Sequence, residues 1–265
     1  MKNTGLPEEK HFFTDLCLPV LFPVLVLILW EQLSSRSIIN PVILPPPSRI
    51  FEAFRVMLLD GQIARHLRAS AFRVLWGFTM GSTLGLAAGI VVGISHRIDR
   101  ATTLIISVLR PIPMIALIPL FILLLGIDEA SKIAVITMGA FWPAFMNMVY
   151  GIKSVDKKLL ELAYVLKKSR WNTLMRIVMP AALPPVFVGL RLGAGSAWAC
   201  VVAAEMIAAS SGIGFLVMFA REVSQTGIMF MGVLLIGLFG LFIDLIIQWV
   251  ERQVLRWNYP PKKAR

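Results

Sequence analysis

Residues 71–94 read AFRVLWGFTMGSTLGLAAGIVVGI and are predominantly apolar. A helix needs about 20 predominantly apolar residues to span the hydrocarbon core of a bilayer, and this stretch reaches that length. Its glycines recur at every fourth position, at Gly77, Gly81, Gly85, Gly89 and Gly93. Such glycines form one slowly drifting stripe on a helix, which predicts close packing against another helix and not ligand binding.

Five more apolar runs have a comparable length, at residues 16–33, 102–125, 133–150, 186–209 and 228–250. Of the 265 residues, 57% are hydrophobic and only 15% are charged, whereas soluble domains carry charges at about a quarter of their positions. The first run lacks a small-residue cleavage site, so it is predicted to remain as a helix. Together the runs predict an all-α integral membrane protein with about six transmembrane helices.

The remaining segments divide the chain into three predicted parts. Residues 1–70 comprise an N-terminal tail, the first transmembrane helix and a connector with a short amphipathic helix, which Ser48 is expected to cap. Residues 71–250 form the core with five transmembrane helices and a polar segment at 151–180. Residues 251–265 form a basic tail. In the third run, Pro111, Pro113 and Pro119 predict a distorted helix of the kind that lines a pathway.

Positive charge predicts how the chain lies in the membrane. The net charge is +11, and the densest group of Lys and Arg lies between Lys153 and Arg176. Because Lys and Arg accumulate in cytoplasmic loops, we expect this segment and both termini to be cytoplasmic. The connector at 34–70 is also basic and would lie outside. No nucleic-acid-binding motif and no metal-ligand spacing occur, so neither nucleic acid nor a metal is predicted.

The sequence has no recognisable motif for binding and hydrolysing a nucleotide. No phosphate-binding G-x-x-x-x-G-K-[ST] motif occurs, so active transport needs either an ion gradient or a partner. Ion-coupled carriers keep ionisable residues at matching places in two halves, and no internal repeat places residues in that way here. The ionisable residues in or near apolar runs are Arg110, Arg191, Glu205 and Asp244. A partner-driven transporter is favoured, and an ion-coupled secondary transporter is the alternative; no catalytic motif supports an enzyme.

The segment between the fourth and fifth apolar runs predicts a helix–turn–helix. Residues 159–166 have a helical pattern, and a second helix over 171–178 is expected to be capped by Ser169 and stopped by Pro180. Its apolar face is not needed to cross the membrane, so we expect it to dock onto a soluble partner. The alternative is a pair of amphipathic helices lying on the lipid surface.

This segment resembles the EAA signature of ABC importer permeases, through Glu161-Leu162-Ala163 and the sequence RIVMPAALP at residues 176–184. Other motifs are similar to the nitrate/sulfonate/taurine branch, and the C-terminal ones are similar to aliphatic sulfonate permeases. They are LPPPS at 44–48, RPIP at 110–113, IPL at 118–120, GIDEASKI at 126–133, GLR at 189–191, AEMI at 204–207, SGIG at 211–214, ARE at 220–222 and LRWN at 255–258. The resemblance implies a type I importer (MetI-like) permease fold in a bacterial inner membrane.

The resemblance also implies an assembly. Its members would be a second copy of this chain, two cytoplasmic ATPase subunits that hold ATP and Mg, and an extracytoplasmic substrate-binding protein; the chain itself would bind no cofactor. The residues implied in contact with the ATPase are Glu161, Leu162, Ala163, Lys167, Ser169, Arg170, Trp171, Arg176 and Pro180. Lys167 stands where the family usually has glycine, so the turn there is expected to be either strained or regular helix.

A small anionic solute is the implied cargo, with an aliphatic sulfonate or taurine favoured and nitrate possible. Polar groups in transmembrane helices usually face a cavity, which makes Arg110, Asn147 and Glu205 candidates for the substrate pathway. Arg110 suits an anion best, whereas Glu205 would repel one and is expected to have a gating or packing role. The alternative for all three is a structural hydrogen bond or, at a helix end, an interfacial position.

Overall fold

The computed structural model describes residues 9–258, with side chains described for residues 21–257. Nearly all of this part is helical and it contains no strand, so the predicted all-α fold is confirmed. The eleven α-helices within it are α1 (Glu9–Ser35), α2 (Pro47–Leu59), α3 (Gln62–Ile94), α4 (His96–Leu109), α5 (Ile118–Leu125), α6 (Glu129–Lys153), α7 (Lys157–Val165), α8 (Arg170–Thr173), α9 (Met179–Ala208), α10 (Ile213–Glu222) and α11 (Thr226–Val254).

The chain divides into two compact units. One comprises the described part of Met1–Gln62 together with Val217–Val233, and the other comprises Ile63–Leu216 with the described part of Leu234–Arg265. The division at residues 70 and 250 that the sequence suggests stays a prediction. Residues 1–8 and the proline- and lysine-rich end of the basic tail at 259–265 lie outside the described residues.

Four described helical segments are long and apolar enough to cross a membrane. They are Gln62–Ile94, Glu129–Lys153, Arg170–Ala208 and Thr226–Val254. The pair α4 and α5 passes the same test as one broken span, which gives up to five, and Leu21–Ser35 is a shorter apolar helix at the position of the first predicted run. A sixth span at this first helix stays a prediction, because the structure describes its side chains only from residue 21.

The third predicted span is broken at its prolines. Helix α4 ends at Leu109, a short 3-10 turn runs over Met114–Leu117, and α5 begins at Ile118, with an angle of 82° between the two arms. Pro111 and Pro113 cannot donate a backbone hydrogen bond, so neither can continue the helix ladder. The distortion that the prolines predicted is confirmed. The helix also begins earlier than the predicted run at 102–125, because α4 starts at His96.

Two local predictions were wrong. The amphipathic helix α2 begins at Pro47, not after Ser48, because proline fits the first turn of a helix without losing a hydrogen bond. Ser48 instead donates through its hydroxyl to Glu31. Pro180 does not stop a helix either. It lies in the first turn of α9, which follows a π-helical turn at Leu174–Val178 without a break in the helical run.

The larger unit is organised around α6, which packs along α3 on one side and α9 on the other. The glycine stripe of α3 makes the first contact close: a Cβ atom added at Gly81 would lie 2.2 Å from the carbonyl oxygen of Thr137, and one at Gly85 would lie 2.6 Å from that of Phe141. Further along, Met148 and Ile152 of α6 fill the space over Gly89 and Gly93. Small residues thus let two helix backbones approach in a setting where lipid offers no hydrophobic driving force.

Candidate functional site

The segment that resembles the EAA signature forms a compact helix–turn–helix. Asp156 caps α7, and the Ser169 side chain accepts a hydrogen bond from the backbone N–H of Asn172 and so caps α8, as its position predicted. Between them, Lys167 has a φ of +49°, which is the left-handed conformation. Its backbone N–H donates to the carbonyl of Tyr164, and the N–H of Lys168 donates to that of Ala163.

This pair of hydrogen bonds is a Schellman motif, in which a left-handed residue satisfies the last carbonyls of a helix. Glycine is the usual residue there, because a side chain in this conformation costs about 1 kcal/mol. Lys167 therefore keeps the turn that glycine would form and carries its strain. The sequence left open whether this turn was strained or regular helix, and the structure has the strained turn.

Helix α7 presents apolar side chains outward. Ala163 is buried, whereas Leu162, Tyr164 and Val165 are exposed, Tyr164 to 85%. Glu161 is exposed beside them. The remaining residues of the implied contact, Lys167, Ser169, Arg170, Trp171 and Arg176, are exposed, and Pro180 is half-buried. Leu162, Tyr164 and Val165 thus form an exposed apolar patch, Glu161 lies on the same face of α7 as Tyr164 and Val165, and the rest of the segment carries exposed cations.

An ionic cluster lies elsewhere, between α3, α6, α9 and the loop before α10; its Arg73, Lys132 and Glu205 are buried, whereas Glu129 is exposed. Arg73 on α3 donates from Nη1 to Oε1 of Glu205 at 2.8 Å, and from Nε to Oε2 of Glu129 at 2.6 Å. It also donates to the carbonyl and hydroxyl oxygens of Ser211. Lys132 adds a second cation, 3.0 Å from Oε1 of Glu129. Two carboxylates and two cations therefore balance in charge.

Glu205 is surrounded by donors. Its Oε2 accepts from the hydroxyl of Ser70 at 2.9 Å and from the backbone N–H of Gly214 at 3.0 Å. Gly212 has a φ of +118°, and a Cβ atom there would lie 2.2 Å from Cδ of Glu205. The SGIG motif thus wraps its backbone around this carboxylate, and the N–H of Gly212 bonds to Nδ1 of His66.

Sequence reasoning missed Arg73 and Lys132. The signal for Arg73 was present, because it precedes Gly77 by four residues and so extends the glycine stripe by one turn on the same face of α3. A charge on the face predicted to pack against another helix requires a buried partner. Arg191 and Asp244, which were noted as ionisable residues in apolar runs, pair with one another at 2.9 Å.

The three candidates for the substrate pathway do not lie together. Arg110 and Asn147 line one cavity of about 290 Å³, beside the break between α4 and the 3-10 turn. The other residues that line it are Ile112, Met114, Gly139, Trp142, Pro143, Met146, Leu192 and Ser196. Glu205 is absent from this lining and is held in the ionic cluster instead. Within residues 9–258 no group of three or more metal-ligating side chains occurs.

Residues 81–256 match the family described as binding-protein-dependent transport system inner membrane component. The chain is 37% identical over 239 residues to the putative aliphatic sulfonates transport permease protein SsuC of Bacillus subtilis, covering 90% of this chain and 87% of that protein. It is 38% identical over 240 residues to the protein of the same description from Escherichia coli, with 91% of each covered. The taurine transport system permease protein TauC of Escherichia coli is 32% identical over 238 residues, with 88% and 86% covered.

Solved structures of inward-facing conformations of the MetNI methionine ABC transporter resemble the fold. One crystal form has a TM-score of 0.65 at 15% identity and covers 74% of this chain and 97% of the other. A second has a TM-score of 0.61 at 16% identity, covering 70% and 92%. At this identity the likeness concerns the fold alone, and it confirms the MetI-like fold that the sequence implied.

Proposed function

This chain belongs to the family of binding-protein-dependent transport system inner membrane components, and we propose that it imports a small anionic solute with energy from a separate ATPase. The family resemblance inferred from the sequence is confirmed, as is the nitrate/sulfonate/taurine branch. The chain is thus a multi-pass permease subunit of the inner membrane, a transport component and not an enzyme. Its cargo, its partners and its mechanism are the parts that we propose.

The outward apolar patch of α7 is the observation that carries the proposal. Exposed Leu162, Tyr164 and Val165 lie in a segment that is too short and too polar to be a membrane span, so a protein surface is the occupant that best removes them from water. Glu161 lies on the same helix, and the exposed cations Arg170 and Arg176 follow in the same segment; all three would pair with charges of the opposite sign on that surface. We assign this patch to an ATPase subunit.

In the proposed assembly two copies of this chain form the pathway, two ATPase subunits hold ATP and Mg, and an extracytoplasmic binding protein delivers the solute. Closure of the ATPases on ATP would push α7 and α8, and α9 would carry that movement into the membrane. The helical run from Arg170 to Ala208 supports this transmission, because it joins the docking segment to a span without a flexible linker. The positive charge of Lys153–Arg176 supports a cytoplasmic location.

An aliphatic sulfonate or taurine is the favoured cargo. Two relatives at 37% and 38% identity are described as putative aliphatic sulfonates transport permeases, and one at 32% as a taurine permease. A bicarbonate transport system permease protein of Synechococcus elongatus is 29% identical, so the branch includes other small anions. The binding protein would set most of the specificity.

The alternative is an ion-coupled carrier, and reconstitution separates the two. Vesicles containing this chain, its ATPase partner and the binding protein loaded with taurine or ethanesulfonate should take up solute only when ATP is supplied. ATP hydrolysis should rise when the loaded binding protein is added. Uptake that is driven by a proton or sodium gradient without ATP would instead establish the carrier.

A further inference from the structure

The cavity beside the broken span is bordered by one cation and little other charge. Arg110 follows the last residue of α4, at the point where Pro111 and Pro113 end the helix. The cavity it lines also reaches α6, through Trp142 and Asn147, and α9, through Ser196. All of these residues belong to the larger unit. Discontinuous spans are where transport proteins place their substrate groups, because interrupted helices leave polar atoms at membrane depth.

Arg110 differs from the other two arginines that lie in apolar runs of this unit. Arg73 pairs with Glu205 and Glu129, and Arg191 pairs with Asp244. The guanidinium of Arg110 makes neither a hydrogen bond nor an ion pair with the side chains described at 21–257, and it is exposed. A cation near the hydrocarbon region without a partner is costly, so it favours an anion that arrives from outside the chain.

The walls of the cavity suit a small organic anion. Trp142, Met114 and Leu192 are apolar, whereas Asn147 and Ser196 supply hydrogen-bonding groups. One N–H of the Asn147 amide donates to the carbonyl of Pro143 at 2.9 Å, which fixes the amide and leaves its second N–H for a ligand. Apolar walls with a few fixed polar groups are the usual composition of a ligand site.

The cavity has room for a small organic ligand. A water molecule takes about 30 Å³ of liquid volume, so a cavity of about 290 Å³ has room for a charged head group and a short alkyl chain. A halide or a single water would leave most of it empty.

We propose that this cavity binds the solute as it passes through the membrane subunit, with Arg110 paired to a sulfonate or carboxylate head group and the alkyl part against Trp142. The inference rests on the proposed function for the identity of the solute, and it adds a specificity site within the membrane subunit itself. Asn147 and Ser196 orient the head group. An analogue of the same size that lacks an anionic head group gains nothing from Arg110 and is rejected.

The test measures binding to the full chain in lipid nanodiscs by calorimetry, with ethanesulfonate as the probe and ethylammonium as the cationic comparison. We expect ethanesulfonate to bind and ethylammonium not to bind. Arg110→Met should weaken ethanesulfonate binding at least about tenfold, which corresponds to about 1.4 kcal/mol. Arg110→Lys keeps the charge and should restore binding to within about threefold of the wild-type chain. Arg100→Met, which removes an exposed arginine from the same helix α4, should leave it unchanged.

Two lipid compositions separate a free anion from a lipid head group as the partner of Arg110. In nanodiscs of zwitterionic lipid and in nanodiscs of anionic lipid, ethanesulfonate should bind the wild-type chain. In both, Arg110→Met should weaken that binding. Absence of ethanesulfonate binding by the wild-type chain up to about 10 mM, or equal binding by Arg110→Met, would overturn the proposal. Unfolding temperatures of all variants show whether a loss reflects misfolding. Because this assay uses neither ATP nor partner proteins, its failure is distinct from failure of ATP-driven uptake.

Discussion

Arg73 and Glu205 are joined by a 2.8 Å ion pair although their residues are only 3% and 1% exposed. The pair connects α3 to α9, and the same guanidinium holds Ser211 in the loop that follows α9. Removing two charges from water is costly, and the cost is recovered only when every lone pair and proton has a partner. Here Ser70 and Gly214 complete the shell of Glu205, so the cluster fixes the register of two spans and a loop.

Replacing Arg73 by methionine should therefore destabilise the protein strongly. The substitution keeps much of the side-chain volume and leaves Glu205 as an uncompensated buried charge, which costs about 3–5 kcal/mol. Thermal unfolding of the purified chain in nanodiscs measures the effect.

Arg68→Met is the matched control, since Arg68 lies on the same helix and is exposed. It should change stability by no more than about 0.5 kcal/mol. The double variant Arg73→Met with Glu205→Met removes both charges and should recover part of the loss. Equal stability of Arg73→Met and the wild-type chain would contradict the role assigned to the pair.

Gly212→Ala should disrupt the same cluster from the loop side. The residue has a φ of +118°, and its added Cβ would lie 2.2 Å from Cδ of Glu205. The backbone strain alone costs about 1–3 kcal/mol, and the clash adds to it. Gly195→Ala on α9, where nothing lies within 4 Å of the new atom, should have no such effect. Comparable unfolding temperatures for the two variants would show that the loop does not wrap Glu205 tightly.

A methyl group at Gly81 tests the contact between α3 and α6. The new Cβ would lie 2.2 Å from the carbonyl oxygen of Thr137, so the two helices must separate, at a cost of about 1–3 kcal/mol. Gly237→Ala on α11 places its Cβ in open space and serves as the control. Unfolding temperatures in nanodiscs should fall for Gly81→Ala alone. Tolerance of this substitution would argue against close packing of the stripe.

Lys167→Gly should stabilise the turn after α7 by up to about 1 kcal/mol, because glycine adopts the left-handed conformation without steric cost. Lys168→Gly is the control. Lys168 does not have a positive φ, so glycine there gains nothing and adds freedom to the unfolded chain. Hydrogen exchange at the amides of α7 reports the local effect. Faster exchange in Lys167→Gly than in the wild-type chain would contradict the claim that Lys167 strains this turn.

The sequence predicted the membrane spans well, because a run of about 20 apolar residues has few alternatives in a bilayer. It also predicted the break in the third span from its prolines and the cap at Ser169 from its side chain. These features depend on a residue and its immediate neighbours. They can therefore be predicted from nearby residues without knowledge of the tertiary structure.

The predictions that failed depend on partners that are distant in the chain or on backbone geometry that the residue pattern does not encode. Ser48 was available as a cap, but its hydroxyl donates a hydrogen bond to Glu31, seventeen residues earlier. Pro180 was expected to stop a helix, and the π-helical turn before it was not visible in the residue pattern. The cluster of Arg73, Glu129 and Glu205 joins residues that only the folded chain brings together. The glycine stripe could have indicated a buried partner for Arg73, but which carboxylates pair with it depends on the position of α6 between α3 and α9.

The number of ethanesulfonate molecules taken up per ATP hydrolysed tests whether α7 transmits ATP-driven movement to the membrane spans. In vesicles with the ATPase partner and the loaded binding protein, Glu161→Ala should lower this ratio at least about fivefold. Arg97→Ala, an exposed charge outside α7, should leave it within about twofold of the wild-type value. An unchanged ratio in Glu161→Ala, with uptake that continues on an ion gradient without ATP, would contradict transmission through α7.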